Sequence, residues 1–156
     1  MRPASMLAGL AALVAAAGLA AAPAHAAAPG LVDGSVSAMG TNCSWTNATT
    51  SDTPPNTLTV DHTTISATCD GGVTVAISQS PTVTFNDAAG TATSPSITVT
   101  GSFLGMNCGY TVTNVSINRD GTTRTYTGGP YTANKTSGGF LCPGTATVDS
   151  ATFNFH

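Results

Sequence analysis

The sequence predicts an all-β protein, an antiparallel β-sandwich or barrel built from two related halves and closed by two disulfides. Three observations predict this fold class. Apolar residues alternate with polar ones in many short runs, and turn-forming residues recur about every 8 to 12 positions. No stretch after residue 26 has helical periodicity. Four cysteines occur at positions that two repeated patterns share.

Residues 1–26 have the features of a signal peptide. Arg2 supplies the positive end, an apolar run covers Leu7 to Ala22, and Ala24-His25-Ala26 fits a small-x-small cleavage site. The apolar run is shorter than the ~20 residues that a spanning helix needs. We therefore expect residues 27–156 to form a single secreted β-domain, extracellular or associated with the cell wall, with no membrane span in the mature chain.

A repeated pattern organises the chain. Gly40–Thr46 and Gly105–Thr111 share the order Gly-x-Asn-Cys-small-aromatic-Thr. Each is followed by a second shared order, Cys-x-Gly-x-apolar-Thr-Val, at Cys69–Val75 and Cys142–Val148. The repeat predicts two halves, covering about residues 31–100 and 101–156.

An even number of cysteines in an exported chain indicates two disulfides, for which three pairings are possible. The repeat favours Cys43 with Cys69 and Cys108 with Cys142, because each bond then closes one half. Loop entropy does not separate the alternatives, since these bonds are worth ~3.5 kcal/mol each and the longer crosslinks only ~1 kcal/mol more. The wide spacing of the cysteines is unlike that of a zinc site, so no metal is expected.

The elements of the first half follow from alternation and turn signals. A first strand is expected at Val32–Met39, and an exposed loop at Asn47–Asn56, where Pro54-Pro55 excludes a regular strand. An alternating run from Thr57 to Cys69 leads to an Asp70-Gly71-Gly72 turn, and the runs on either side of that turn predict a hairpin.

The second half uses the same elements. An alternating run follows the second cysteine pattern, and Asn118–Gly121 forms a turn into Thr122–Thr127, where Arg124 and Tyr126 share a face. Gly128-Gly129-Pro130 ends that strand, and Tyr131–Phe140 is polar and rich in glycine. A last strand is expected from Thr145 to His156.

Charged residues are few, which excludes several classes of partner. After residue 26 there are three cations and seven aspartates, with no glutamate. Such a chain cannot neutralise a row of phosphates, so nucleic acid is not an expected partner. The same charge argues against adhesion to anionic membranes. The three cations are Arg119, Arg124 and Lys135.

No catalytic or cofactor motif emerges. Asp61-His62 beside Ser66 has the residue types of a hydrolase triad, but neighbours on a strand point to opposite faces, so Asp61 would not orient His62. Asn118–Gly121 resembles the start of a calcium loop without the acidic residues that complete one. We therefore expect no enzyme, no cofactor and no metal.

The aromatic residues suggest where binding occurs. Trp45 and Tyr110 occupy equivalent positions of the repeat and are expected in the core. Tyr126 and Tyr131 are not repeated and flank a glycine-rich break, which makes them candidate surface rings for stacking on sugars. The candidate binding residues are Tyr126, Tyr131, Arg124 and Asn134.

The alanine-rich leader, the scarcity of lysine and the stretch Cys142–Thr147 resemble the small exported proteins of high-GC Gram-positive bacteria. The resemblance is compositional; it implies an exported all-β protein and names no ligand. We expect a non-catalytic binding or structural module at the cell surface that contacts polysaccharide or protein. The alternative is a secreted inhibitor of extracellular hydrolases that presents a rigid loop, at Thr46–Asn56 or Gly128–Phe140.

Overall fold

The computed structural model describes residues 28–156, which form eleven β-strands and two 3₁₀ turns. The predicted signal peptide lies outside the described residues. No helix within residues 28–156 has the length and hydropathy required to cross a membrane. The strands are β1 Gly30–Ala38, β2 Thr41–Thr50, β3 Leu58–Thr59, β4 Thr68–Cys69, β5 Thr74–Ile77, β6 Thr82–Asn86, β7 Thr91–Phe103, β8 Met106–Arg119, β9 Thr125–Gly128, β10 Tyr131–Ser137 and β11 Thr145–Phe155.

All the strands belong to one antiparallel sheet that curves around a single core, which confirms the all-β prediction. Three pairs of short strands each fill one position of the sheet that a single longer strand could fill. β3 and β4 both lie beside β2, and β5 and β6 both lie beside β7. β9 and β10 both lie between β8 and β11. β11 pairs with β1, and β3 pairs with β6. The sheet is therefore closed, and the strand positions follow one another around it in the order of the chain.

The sequence repeat corresponds to a repeated hairpin. β1–β2 and β7–β8 have the same register, so that Cys43 lies opposite Val36 and Cys108 lies opposite Gly101. Each half supplies the equivalent of four strands, β1 to β6 in the first and β7 to β11 in the second. The expected boundary near residue 100 falls inside β7, and the four-strand units meet in the turn before that strand.

Both disulfides have the predicted pairing. Cys43 and Cys69 face each other on the adjacent strands β2 and β4, with their Cα atoms 4.0 Å apart. Cys108 on β8 is bonded to Cys142, which lies in the loop before β11, with a Cα separation of 5.7 Å. Each bond thus links residues of one half, as the repeat indicated.

The core is filled by inward-facing residues from both hairpins and from the last strand. Trp45 and Tyr110 are both buried, as their repeated positions predicted. The largest cluster of rings joins Phe85, Tyr126 and Phe155, which meet edge to face with centroids 5.1 to 5.9 Å apart. Aromatic pairs in this geometry add about 0.5–1.5 kcal/mol to the contribution of burial.

Two local predictions were wrong. The loop expected from Asn47 starts only at Ser51, because buried Ala48 and Thr50 continue the alternation of β2. The hairpin expected around Asp70–Gly72 does not form. β4 and β5 do flank that turn, but β4 pairs with β2 and β5 with β7, so the turn carries the chain from one neighbour to the other.

Candidate functional site

Tyr126, expected on the surface, is a core residue. Only 1% of it is exposed, and its ring packs against Phe85 and Phe155. Its hydroxyl accepts a hydrogen bond from Nη1 of Arg124 at 3.3 Å. The proposal that this ring stacks on a sugar is wrong.

Tyr131 is also unsuited to stacking on a ligand. It is partly buried, and its hydroxyl donates to the carbonyl oxygen of Ser116 at 2.6 Å. The ring end lies against the backbone of Gly128, where an added methyl group would overlap it. Burial raises the pKa of the Tyr131 hydroxyl. A sugar site built on coplanar exposed rings at Tyr126 and Tyr131 is therefore excluded.

Arg124 serves the fold by pairing with Asp87. Its two terminal nitrogens donate to the two carboxylate oxygens of Asp87 at 2.7 and 3.0 Å, and Arg119 reaches the same carboxylate at 3.2 Å. The hydrogen bond from Arg124, with the charges of both arginines, lowers the pKa of Asp87. The same contact raises the pKa of Arg124. Of the four candidate binding residues, Asn134 on β10 alone is exposed.

The residues of the triad-like sequence are used for local structure. Asp61 caps the 3₁₀ turn His62–Thr64, where its carboxylate accepts hydrogen bonds from the backbone N–H and hydroxyl of Thr63. His62 pairs instead with Ser80, whose Oγ lies 2.9 Å from Nδ1. The carboxylate therefore does not orient the imidazole. Within residues 28–156, no group of three metal-ligating side chains comes together.

The most unusual feature of the described surface is a set of large apolar side chains that are exposed to water, which we call the apolar rim. It comprises every large apolar residue that is exposed in the described part of the chain. The most exposed are Phe140 at 93%, Leu104 at 82%, Leu141 at 63% and Met39 at 60%. The apolar rim consists of Met39, Phe103, Leu104, Met106, Phe140 and Leu141.

The apolar rim lies at one end of the sheet. β7, β8, β10, β11, β1 and β2 are consecutive antiparallel neighbours. The turns β7–β8, β10–β11 and β1–β2 therefore emerge at the same end, since alternate strands run in opposite directions. Four residues of the apolar rim lie in these turns, and the other two, Phe103 and Met106, are the strand residues that flank the β7–β8 turn.

The β10–β11 loop is held in a fixed shape. The N–H of Cys142 donates to the carbonyl oxygen of Gly139 at 3.1 Å, which places Phe140 and Leu141 at the centre of a turn. Nζ of Lys135 donates to the carbonyl oxygens of Gly139 and Cys142, at 3.4 and 3.1 Å. The disulfide to Cys108 fastens the end of the turn to β8. A shallow depression between this turn and Met106 is mainly apolar.

The two hairpin tips present their apolar residues in the same way. Met39 and Gly40 have φ angles of 50° and 77°, and Leu104 and Gly105 have 48° and 79°. Positive φ at both central residues is the signature of the type I′ turn, which matches the twist of a hairpin. Glycine adopts such angles freely, whereas methionine and leucine do so at a cost.

Few charges border the apolar rim. Lys135 lies behind the β10–β11 loop, and Asp70 accepts a hydrogen bond from Asn42 beside the β1–β2 tip. The ion pairs lie at the opposite end of the sheet, around the β6–β7 turn and the first residues of β1. Among the described residues they are Asp87 with Arg119 and Arg124, and the contact of Asp33 with the imidazole of His156 at 3.4 Å.

Alternation in the sequence did not reveal the apolar rim, because its residues lie in turns or at the strand ends beside them. A usable signal was nevertheless present, since both copies of the repeat place an apolar residue directly before glycine, at Met39 and Leu104. Comparisons of the chain with protein-family models, curated sequences and solved structures found no significant match.

Proposed function

We propose that this protein is a non-catalytic binding module that attaches to another extracellular component through its apolar rim. The observation that carries the proposal is that all six exposed large apolar side chains of the described residues lie in, or directly beside, three turns at one end of the sheet. Single exposed apolar residues are ordinary, but a group of them at one end of a molecule indicates an interaction surface.

The energetics support attachment. Removing a large apolar side chain from water contributes about 1.5–3 kcal/mol, so the four most exposed residues together supply enough for reversible binding. The loops lose little freedom on binding, because the disulfide, the Lys135 contacts and the type I′ turns already order them. Rigid presentation of this kind favours affinity.

Inhibition of an extracellular hydrolase is the second candidate. It is favoured by the turn at Gly139–Cys142, which presents Phe140 and is tied at its base by Cys142. A peptide that fills an enzyme cleft as an added strand must be extended. This turn is not extended, so such an inhibitor would block the entrance to the cleft. An inhibition screen of secreted proteases and glycosidases at micromolar protein tests this candidate.

Co-sedimentation of residues 27–156 with cell-envelope material of the producing organism tests the main proposal. We expect the natural chain to sediment with the envelope and the F140S/L141S variant to lose at least about tenfold in affinity. A matched control is A88S/A89S, which makes the same kind of change at two exposed residues of the β6–β7 turn, at the opposite end. Equal sedimentation of the F140S/L141S variant and the natural chain would overturn the proposal, as would no sedimentation of the natural chain.

A further inference from the structure

We infer that the apolar rim docks onto a zwitterionic lipid surface, into which the two hairpin tips and the β10–β11 loop insert. The inference rests on the proposed function and names the partner of the same surface. It follows from three features of the apolar rim: the residues chosen at the hairpin tips, the shape that they form and the charges around them.

The residue choice at the tips breaks two local preferences in both copies of the repeat. The first central position of a type I′ turn strongly prefers asparagine, aspartate or glycine. The chain instead places Met39 and Leu104 there, at φ angles of 50° and 48°. Each is also largely exposed to water. Neither choice helps the fold, so the apolar side chains are explained by a contact outside the molecule.

The shape of the apolar rim suits contact with fluid lipid better than contact with a folded protein. Leu104, Phe140 and Met39 stand on three separate turns that project from the same end of the sheet. A protein partner would have to supply a matched pocket for each projection, since interface anchors fill preformed pockets. Lipid chains rearrange around separate projections, as they do around the apolar faces of interfacial segments that enter about 5–10 Å.

The charges favour a zwitterionic surface over an anionic one. No residue of the apolar rim is charged, and two groups that bond to its loops, Lys135 at the β10–β11 loop and Asp70 beside the β1–β2 tip, have opposite signs. The whole chain has a net charge of −3, with only four lysine and arginine residues. Attraction to an anionic surface grows about fivefold for each lysine or arginine near it, so anionic lipid offers little advantage here.

The magnitude agrees with reversible attachment. If each of the four most exposed residues strengthens binding about tenfold on leaving water, together they give a binding constant on the order of 10⁴ M⁻¹. A single myristoyl chain binds membranes with a constant of about 10⁴ M⁻¹, which is a similar free energy. The apolar rim would therefore bind a lipid surface about as strongly as one acyl chain does, which is reversible attachment.

Flotation with phosphatidylcholine vesicles tests the inference on residues 27–156. We expect the natural chain to float and the M39N/L104N variant to bind at least about tenfold more weakly. Because asparagine suits the first position of a type I′ turn, this variant should unfold at the same temperature or higher, so that lost binding cannot be attributed to misfolding. The A88S/A89S control should float like the natural chain. Raising the ionic strength from about 0.05 to 0.5 M should leave binding unchanged.

Several outcomes would overturn the lipid inference. The partner is a protein or another envelope component if the natural chain sediments with the envelope but does not bind the vesicles, and if its sedimentation requires Phe140 and Leu141. Binding that requires phosphatidylglycerol and disappears with salt would show electrostatic attachment instead. Unchanged flotation of M39N/L104N would show that the hairpin tips do not contact the lipid. If neither envelope nor vesicles are bound, the proposed function and the lipid inference fail together.

Discussion

The indole ring of Trp45 lies directly against the backbone of Gly34, its cross-strand partner on β1. Gly34 is buried, and a methyl group added there would overlap the six-membered ring of the indole. Gly34 thus provides the space in which the first aromatic residue of the repeat packs, beside Phe153 at 6.0 Å between ring centroids.

The first prediction concerns that space. We expect G34A to lower the free energy of unfolding by about 1–3 kcal/mol, because the methyl group displaces a packed ring. G101A on β7 is the matched control, since a methyl group there meets open space. Urea unfolding followed by tryptophan fluorescence measures both variants. Equal stabilities of the two variants would show that Trp45 does not rest on Gly34.

The second prediction concerns the pH dependence of stability at Asp87. Hydrogen bonding by Arg124 lowers the pKa of the folded carboxyl below that of the unfolded chain, near 3.9. The ionised form is therefore stabilised by folding. This contribution is complete above the unfolded pKa and is lost as the pH falls through the lower folded value.

Thermal unfolding of D87N between about pH 7 and 2 checks this expectation. D87N should unfold at a lower temperature than the natural chain at neutral pH, and the gap should close below about pH 4. D120N, a change of the same kind in the exposed β8–β9 turn, should unfold close to the natural chain at every pH. A gap for D87N that persists undiminished at the lowest pH would contradict the role of the ion pair.

The third prediction separates the two disulfides. C43A/C69A and C108A/C142A should each lower the free energy of unfolding by about 3.5 kcal/mol, because the closed loops are of similar length, 26 and 34 residues. Only the second variant should speed hydrogen exchange in residues 138–144, whose end the bond to Cys108 fixes. Exchange measured by mass spectrometry checks this. Equal protection of that loop in both variants would show that the Lys135 hydrogen bonds and the turn order the loop without the disulfide.

The fourth prediction tests the core position of Tyr126. Y126F removes only the hydroxyl that accepts from Arg124, and should lower the free energy of unfolding by about 1 kcal/mol. Y126A leaves a cavity beside Phe85 and Phe155 and should lower it by about 3–5 kcal/mol. Chemical denaturation measures both. If Y126F keeps full stability but loses attachment to envelope or vesicles, Tyr126 is a contact residue after all.

The repeat made the disulfides predictable from sequence, whereas the two hairpins that carry it, β1–β2 and β7–β8, were not predicted. Cys43 and Cys108 precede equivalent aromatic residues, and the shared spacing indicated the pairing of the cysteines. Alternation alone did not outline β7, because the positions that face the core change phase within the strand, from Ala92 and Ser94 to Ile97 and Val99.

The burial of Tyr126 was not predictable from the sequence. β9 has only four residues, and threonine occurs on both faces of many strands here, so local alternation did not identify the inner face. A change of phase by one residue reverses every side chain of a strand. Prediction of the apolar rim required the topology as well, since only the order of the strands places Met39, Leu104 and Phe140 at the same end of the sheet.

The closed sheet joins its two halves at two places of the same kind. The last strand of the first half, supplied by β5 and β6, pairs with β7, and the last strand of the second half, β11, pairs with β1. Two separate four-stranded units could form the same ring by mutual strand pairing, with neither leaving a bare edge for aggregation. The β6–β7 turn is thus a tether between two complementary fragments. A chain that began at β7 and ended at β6, with Phe155 linked to Gly30, would be a circular permutant with the same set of strand pairs.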